Sequence, residues 1–211
     1  MKILYCQTNR PEAALAHELL HIKLLCDGYR PYTSSLALTK KGSCALPELL
    51  AMLNNEIPHH RFYEDFLALG FTGTQMYCDS DVDSFKRITD AASKLSGKEP
   101  TEDFLRLYLT LIAPGGDGDS NEKDRAFMTL QSKAGSRWRE LERIKGIIEE
   151  YRDATGLDSE LYIRRILQVL GGYEKAWVGF DDDFPRCGFF TTEEFTQEEG
   201  EAAERQYCNF R

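Results

Sequence analysis

Apolar residues along this chain recur mainly at the spacing of an amphipathic helix. Over residues 11–26 they return every three or four positions, after Thr8, Asn9 and Pro11 and before Gly28. Thr or Asn caps the start of a helix, proline suits its first turn, and glycine commonly follows its last turn. The pattern therefore predicts a helix over this range.

The same helical spacing recurs in the rest of the chain, where Gly and Pro residues mark most of the boundaries. Further helices are predicted at residues 43–56, 82–95, 102–112, 121–155 (one helix or a pair) and 158–170. Pro58 interrupts the apolar rhythm after the first of these, and the rhythm then resumes as far as Gly70. The acidic C-terminal end is expected to fray.

Three short segments have the composition of strands or loops instead of helices. Residues 2–6 and 30–39 contain apolar, aromatic and hydroxyl side chains, and residues 177–190 combine aromatic residues with glycine. Such runs favour short strands. The expected fold class is therefore α+β: mainly helical, with a small N-terminal sheet next to the helix over residues 11–26.

The clearest break in the pattern is A-P-G-G-D-G-D-S at residues 113–120, a run of turn-forming residues. It predicts two parts. One is a core over residues 1–112, and the other is a helical C-terminal part over residues 121–211 that packs on the core and ends in an acidic tail. A chain of 211 residues is long enough for one sizeable hydrophobic core with such an addition.

Composition and charge narrow the function classes. The formal net charge is -9, which argues against a phosphate-binding surface and so against nucleic acid as a partner. No apolar run approaches the roughly 20 residues that span a bilayer, and the N-terminus lacks the apolar stretch of a signal peptide. The six cysteines are scattered singly, as free thiols in a reducing compartment are. We expect a cytoplasmic protein with no membrane partner.

Candidate chemistry is concentrated in A-H-E-L-L-H, residues 16–21. His17 and His21 are four residues apart, so a helix places both imidazoles on one face, within reach of one ion. Glu18 follows His17, where its carboxylate can accept a proton from a metal-bound water. This H-E-x-x-H pattern predicts zinc hydrolase chemistry. The alternative is two histidines that make ordinary hydrogen bonds.

A hydrolytic zinc site takes three protein ligands and a water, so a third ligand is required. The four histidines of the chain fall in two places only, His17 with His21 and His59 with His60. His59 is the first choice for the third ligand. It ends a predicted helix that can pack against the helix of the first two.

Three other side chains remain as alternatives. His60 is expected to point away from the ion and to be free to donate to substrate or to a carboxylate. Glu56 is the runner-up, since a carboxylate from a second helix commonly completes a zinc site. Asp27 is a further candidate. If no metal binds, His59 and His60 simply form a polar helix end.

The segment H-E-L-L-H at residues 17–21 resembles the active-site helix of zincin metallopeptidases, most of all the minimal bacterial zincins of the IrrE and ImmA type. The resemblance covers residues 13–70. It implies Zn²⁺ as the cofactor, His17 and His21 as the helix ligands, and Glu18 as the general base.

The chain departs from the zincin pattern at two points. Leu24 and Asp27 occupy the positions of the glycine and the third histidine of metzincins, and only 16 residues precede His17, where zincins usually have a backing helix and strands. The expected function is a zinc-dependent metallopeptidase or peptidase-like hydrolase, with a peptide or protein substrate and a zinc-bound water activated by Glu18. The alternative is a non-catalytic metal-binding module that regulates or binds other proteins.

Overall fold

The computed structural model describes residues 8–76, 84–115, 120–180, 184 and 186–209. Within these ranges helices predominate, and three short strands form one antiparallel sheet. The expected class, α+β and mainly helical, is therefore confirmed. The strand predicted at residues 2–6 lies outside the described residues.

The described residues form the following regular elements. The helices are α1 (Pro11–Cys26), α2 (Lys40–Ala68), α3 (Ser84–Lys94), α4 (Thr101–Ile112), α5 (Ser120–Ala134), α6 (Trp138–Arg152), α7 (Glu160–Leu170) and α8 (Gln197–Asn209). The strands are β1 (Ser34–Ala37), β2 (Ala176–Gly179) and β3 (Gly188–Phe190). Short 3-10 turns follow α2 at Gly73–Gln75 and join α5 to α6 at Gly135–Arg137. In the described ranges, every helix is too short or too polar to span a lipid bilayer.

Helix α1 begins and ends where its sequence predicts. Pro11 occupies its first position. The N-cap residue is Arg10, without a side-chain capping hydrogen bond, so the prediction of Thr8 or Asn9 at the N-cap is wrong; the Thr8 hydroxyl accepts a hydrogen bond from the Arg10 N–H at 3.0 Å. Gly28 follows its C-terminal end with φ +109°, a conformation that glycine adopts without strain. One face of α1 is buried, and its buried residues are Ala13, Ala16, Leu20 and Leu24.

Helix α2 is longer than the sequence predicts. It continues through Pro58, so the prediction that Pro58 interrupts the helix is wrong. A proline inside a helix costs about 3 kcal/mol, because its ring clashes with the preceding turn and a hydrogen bond is lost. Ile57, Phe62 and Phe66 flank it and are at most 2% exposed. Burying each such side chain contributes about 1.5–3 kcal/mol, which together outweighs the local cost.

The C-terminal region contains a helix where fraying was expected. The Thr196 N–H donates to the Glu199 carboxylate at 2.8 Å, and the Glu199 N–H donates to the Thr196 hydroxyl at 3.3 Å. This capping box satisfies N–H groups at the start of α8. Further along α8, Ala203 is buried with Leu36 and Trp177. The expectation of fraying is therefore wrong for Gln197–Asn209.

The chain divides into two compact units, each formed by two stretches of sequence. The first unit comprises Met1–Gly28 and Glu56–Lys145, and the second comprises Tyr29–Asn55 and Gly146–Arg211. In the first unit, α3, α4 and α5 pack together, so the helices on either side of the glycine-rich break belong to the same unit. The stretch predicted as one helix or a pair is a pair, α5 and α6.

The sheet belongs to the second unit and has the strand order β1–β2–β3. Ser34 of β1 lies opposite Gly179 of β2, and Trp177 of β2 lies opposite Phe190 of β3. The sheet thus joins one strand from the N-terminal half of the chain to two from its last quarter, so the expectation that the sheet is N-terminal is wrong. The buried Trp177 ring lies over the Gly179 backbone, so that a Cβ on Gly179 would overlap the ring.

Gly179→Ala is expected to lower the free energy of unfolding by about 1–3 kcal/mol, the usual cost of overpacking. The added methyl group would overlap the Trp177 ring and lie 2.5 Å from the Cys187 carbonyl oxygen. Gly146→Ala is the matched control, because nothing lies within 4 Å of a Cβ at that position in α6. It is expected to stabilise the protein by about 0.4–1 kcal/mol. Urea denaturation measures both effects, and an unchanged midpoint for Gly179→Ala would contradict the packing described.

Candidate metal centre

Three histidine side chains of the first unit lie together. His17 and His21 belong to α1 and His59 belongs to α2. The three distances between their ring centroids are 4.9, 5.0 and 5.1 Å. One nitrogen from each ring lies within 4.8 Å of the other two. The imidazoles therefore form a nearly equilateral triangle that can close around one ion.

Packing between α1 and α2 brings His59 to the other two rings. The contacts continue along both helices: the His21 ring lies 4.7 Å from the Phe62 ring, and the Lys23 ammonium lies 3.3 Å from the Asp65 carboxylate. His59 and Phe62 are three residues apart, so they share the face of α2 that meets α1. The third histidine of the triangle thus comes from tertiary packing, whereas the first two follow from helical spacing.

The spacing of the His17 and His21 nitrogens is close to that of two ligands in a tetrahedral metal site. With Zn–N bonds of about 2.0–2.1 Å, two nitrogens of a tetrahedral site are about 3.3 Å apart. His17 Nε2 and His21 Nε2 are 3.1 Å apart. One ring nitrogen of His59 lies within 4.8 Å of one ring nitrogen of His17 and of His21. In the described part of the chain, no Cys, Asp or Glu adds a fourth ligand atom to this group.

Hydrogen bonding determines which nitrogen of His17 carries a proton. Its Nδ1 lies 2.7 Å from the Met76 carbonyl oxygen, which can only accept, so the Nδ1–H is the donor. In the neutral ring, Nε2 then carries a lone pair. Since Nε2 of His21 lies 3.1 Å from that lone pair, His21 is the donor between the two rings. For both Nε2 atoms to bind one ion, His21 would have to adopt its other neutral tautomer, with the proton on Nδ1.

Burial keeps the two histidines of α1 neutral. Desolvation, followed by the neighbouring His59, lowers the pKa of His17 from 6.5 to about 4, against the opposing effects of the Met76 carbonyl and Glu56. Desolvation, followed by His59 and His17, lowers the pKa of His21 from 6.5 to about 3. Both rings are therefore neutral at pH 7, which is the form of imidazole that binds metal ions.

The remaining residues of the His59 segment lie beside the triangle without joining it. His59 is 3% exposed, and its Nδ1 lies 3.5 Å from the Glu56 carboxylate, three residues earlier in α2. Glu56 is therefore in contact with a ligand side chain and is not itself in the group. His60 is also buried, and the group does not include it.

The two acidic candidates on α1 also lie outside the group. Glu18, the predicted base, is exposed to solvent. Asp27 follows the last residue of α1, and its carboxylate lies 2.9 Å from the Lys23 ammonium. The structure therefore brings together His17, His21 and His59 and leaves the carboxylates at the periphery.

Sequence reasoning missed two parts of the site. The buried Phe62 ring lies 4.7–5.6 Å from all three imidazole centroids, at 79–83° to their planes, and forms an apolar wall on one side. Its position three residues after His59 is a usable signal, because such residues share a helix face. The Met76 carbonyl is the other part. It follows a T-x-x-Q segment beginning at Thr72, the pattern of a capping box.

Three imidazoles form a donor set that suits a borderline divalent cation, of which zinc is the commonest in proteins with such ligands. The described site therefore offers three imidazoles that could hold a metal ion, beside an apolar wall. Comparison of this chain with protein-family models, with curated protein sequences and with solved structures gives no match.

The lowered pKa values predict that the metal-free protein loses stability in acid. Between pH 6.5 and about 4 the unfolded chain takes up protons on His17 and His21 that the folded chain does not, so stability falls as the pH falls. Urea denaturation of chelator-treated protein at several pH values measures this. The control is the double variant His17→Asn/His21→Asn, which keeps His59 and Glu56, the groups that face the two rings. Its free energy of unfolding is expected to depend less on pH than that of the wild type. An equal dependence in both proteins would contradict the assignment.

Proposed function

We propose that this chain is a zinc-dependent hydrolase of peptide bonds, with zinc held by His17, His21 and His59. The observation that carries the proposal is the convergence of one nitrogen from each ring within 4.8 Å. Structural zinc sites usually have four protein ligands, whereas hydrolytic sites have three and keep one position open. Three histidines, with no fourth ligand atom from the described residues, match the hydrolytic class.

The residues around the ligands divide the remaining tasks. Zinc at such a site lowers the pKa of a water toward about 7 and polarises a substrate carbonyl. His17 presents Nε2, since its Nδ1–H is held by the Met76 carbonyl. Phe62 excludes water from the inner side of the three rings. Glu18, exposed on α1 next to His17, accepts a proton and passes it to the leaving amine.

The proposed substrate is a peptide or protein segment, and the proposed location is the cytoplasm. Cys26 and Cys44 are exposed free thiols, which persist in a reducing compartment. The net charge of -9 disfavours nucleic acid as the substrate. These features support an intracellular peptide hydrolase over an enzyme of nucleic acids.

The second candidate function is a non-catalytic metal-binding module that regulates or binds other proteins. The exposed position of Glu18, outside the group of ligand atoms, favours it. A general base acts within about 2.6–3.2 Å of the proton it accepts, or through one water. Without such a base the metal would stabilise the folded state of the first unit, because binding free energy adds to folding free energy.

Zinc content distinguishes His59 from its neighbour. His59→Asn is expected to lose the bound zinc because one of three ligands is removed, whereas His60→Asn, its matched control, keeps one zinc per chain. Elemental analysis after dialysis of both folded proteins measures this. If both variants contained the same amount of zinc, His59 would not be the third ligand. If the wild type contained no zinc, the whole site would be ruled out.

Turnover separates the two candidate functions. Glu18→Gln is expected to keep its zinc and to lose hydrolysis of a peptide library by roughly 100- to 10,000-fold, the usual contribution of a general base. Glu12→Gln is the control, since Glu12 is also an exposed glutamate of α1. Zinc binding without cleavage by the wild type would establish the non-catalytic module instead.

A further inference from the structure

A turn at residues 72–76 follows α2 and is held by its own hydrogen bonds. The Thr72 N–H and hydroxyl donate to the Gln75 side-chain oxygen at 2.8 and 3.0 Å. The Gln75 N–H donates in return to the Thr72 carbonyl at 2.9 Å. This capping box satisfies the polar groups at the start of the turn and gives the turn a defined conformation.

Contacts within the first unit hold the 72–76 turn in place. The Arg10 guanidinium donates to the Thr74 carbonyl. Gly73 lies so close to the Tyr63 hydroxyl that a Cβ there would overlap it, and a Cβ on Gly115 would lie 2.7 Å from the Gly73 carbonyl oxygen. Because backbone packs directly against its neighbours on two sides, the turn has little room to shift.

The turn ends at the carbonyl that meets the metal centre. The Met76 N–H donates to the Gly73 carbonyl at 3.2 Å, and Met76 is 1% exposed. Its carbonyl oxygen lies 2.7 Å from His17 Nδ1. A partly buried N–H that lost this acceptor would be left without the hydrogen bond that compensates for its desolvation. The position of one backbone oxygen therefore decides the tautomer of His17.

We infer that the 72–76 turn positions His17 for metal binding and that Gln75 is the side chain through which it does so, an inference that rests on the proposed zinc site. Gln75 is a positioning residue, because it acts through Thr72 and the Met76 carbonyl and is not a ligand. Partners that hold the outer N–H of a ligating histidine fix its tautomer and ring orientation. Their loss typically weakens metal binding about 10- to 100-fold.

Two substitutions at Gln75 distinguish the effect of losing its acceptor oxygen from the effect of changing the side chain. Gln75→Leu removes the acceptor, whereas Gln75→Glu keeps it, since glutamate serves at the same position of a capping box. Nitrogen-15 NMR of the imidazoles in metal-free protein at pH 7.5 reports the tautomer directly. The wild type and Gln75→Glu are expected to show His17 protonated on Nδ1, and Gln75→Leu a mixture of the two tautomers.

Zinc affinity, measured by competition with a chromophoric chelator, is the second readout. Gln75→Leu is expected to bind zinc about 10- to 100-fold more weakly than the wild type, and Gln75→Glu as tightly as the wild type. Arg10→Ala removes the independent tether at Thr74 and is expected to weaken binding in the same direction. It provides the test if circular dichroism shows that Gln75→Leu is not folded.

The outcomes separate this inference from the zinc site itself. Equal zinc affinity in wild type, Gln75→Leu and Arg10→Ala overturns the positioning role and leaves the zinc site standing. A wild-type His17 protonated on Nε2 also overturns that role. If the wild type has the expected tautomer and binds no zinc, both the zinc site and the positioning role fail.

Discussion

The packing of three imidazoles against one another, one buried and two half-buried, is the constraint on which the candidate metal centre depends. A protonated ring here would lose hydration and repel its neighbours, which is why His17 and His21 have pKa values well below 6.5. Two neutral rings with Nε2 atoms 3.1 Å apart must share one proton. A divalent cation held by both Nε2 atoms would require the His21 proton to move to Nδ1, and one nitrogen of His59 could supply a third lone pair. The free energy of binding such an ion to the three neutral rings would add to the stability of the folded protein.

Sequence patterns predicted the fold where the residues of a segment determine its structure. α1 and α4 end where expected, because proline, glycine and apolar periodicity lie within or beside them. Prediction failed where the structure of a segment depends on residues far away in the sequence. α2 continues through Pro58 because Ile57 and Phe62 are buried on either side, and α8, although rich in acidic residues, packs Ala203 into a core that includes Trp177. The pairing of β1 with β2 joins segments far apart in sequence, which periodicity does not indicate.

In the candidate site, too, sequence predicted what depends on neighbouring residues and missed what depends on distant ones. Local spacing indicated His17 and His21, and the scarcity of histidine elsewhere indicated the segment of His59. Choosing between His59 and His60 depended on which face of α2 meets α1, since adjacent helix residues point about 100° apart. The Met76 carbonyl could not be predicted, because no residue type indicates where a backbone oxygen will lie. What the sequence did contain was the capping box that positions it.

In the proposed hydrolase, the geometry of α1 would limit how a substrate reaches the site. Around the helix axis Glu18 lies about 100° from His17 and about 60° from His21. The histidines border the buried face of α1, which includes Leu20, whereas Glu18 lies on the side of Leu25, which is 49% exposed. A carbonyl that reaches both the ion and Glu18 must therefore approach along the solvent side of α1.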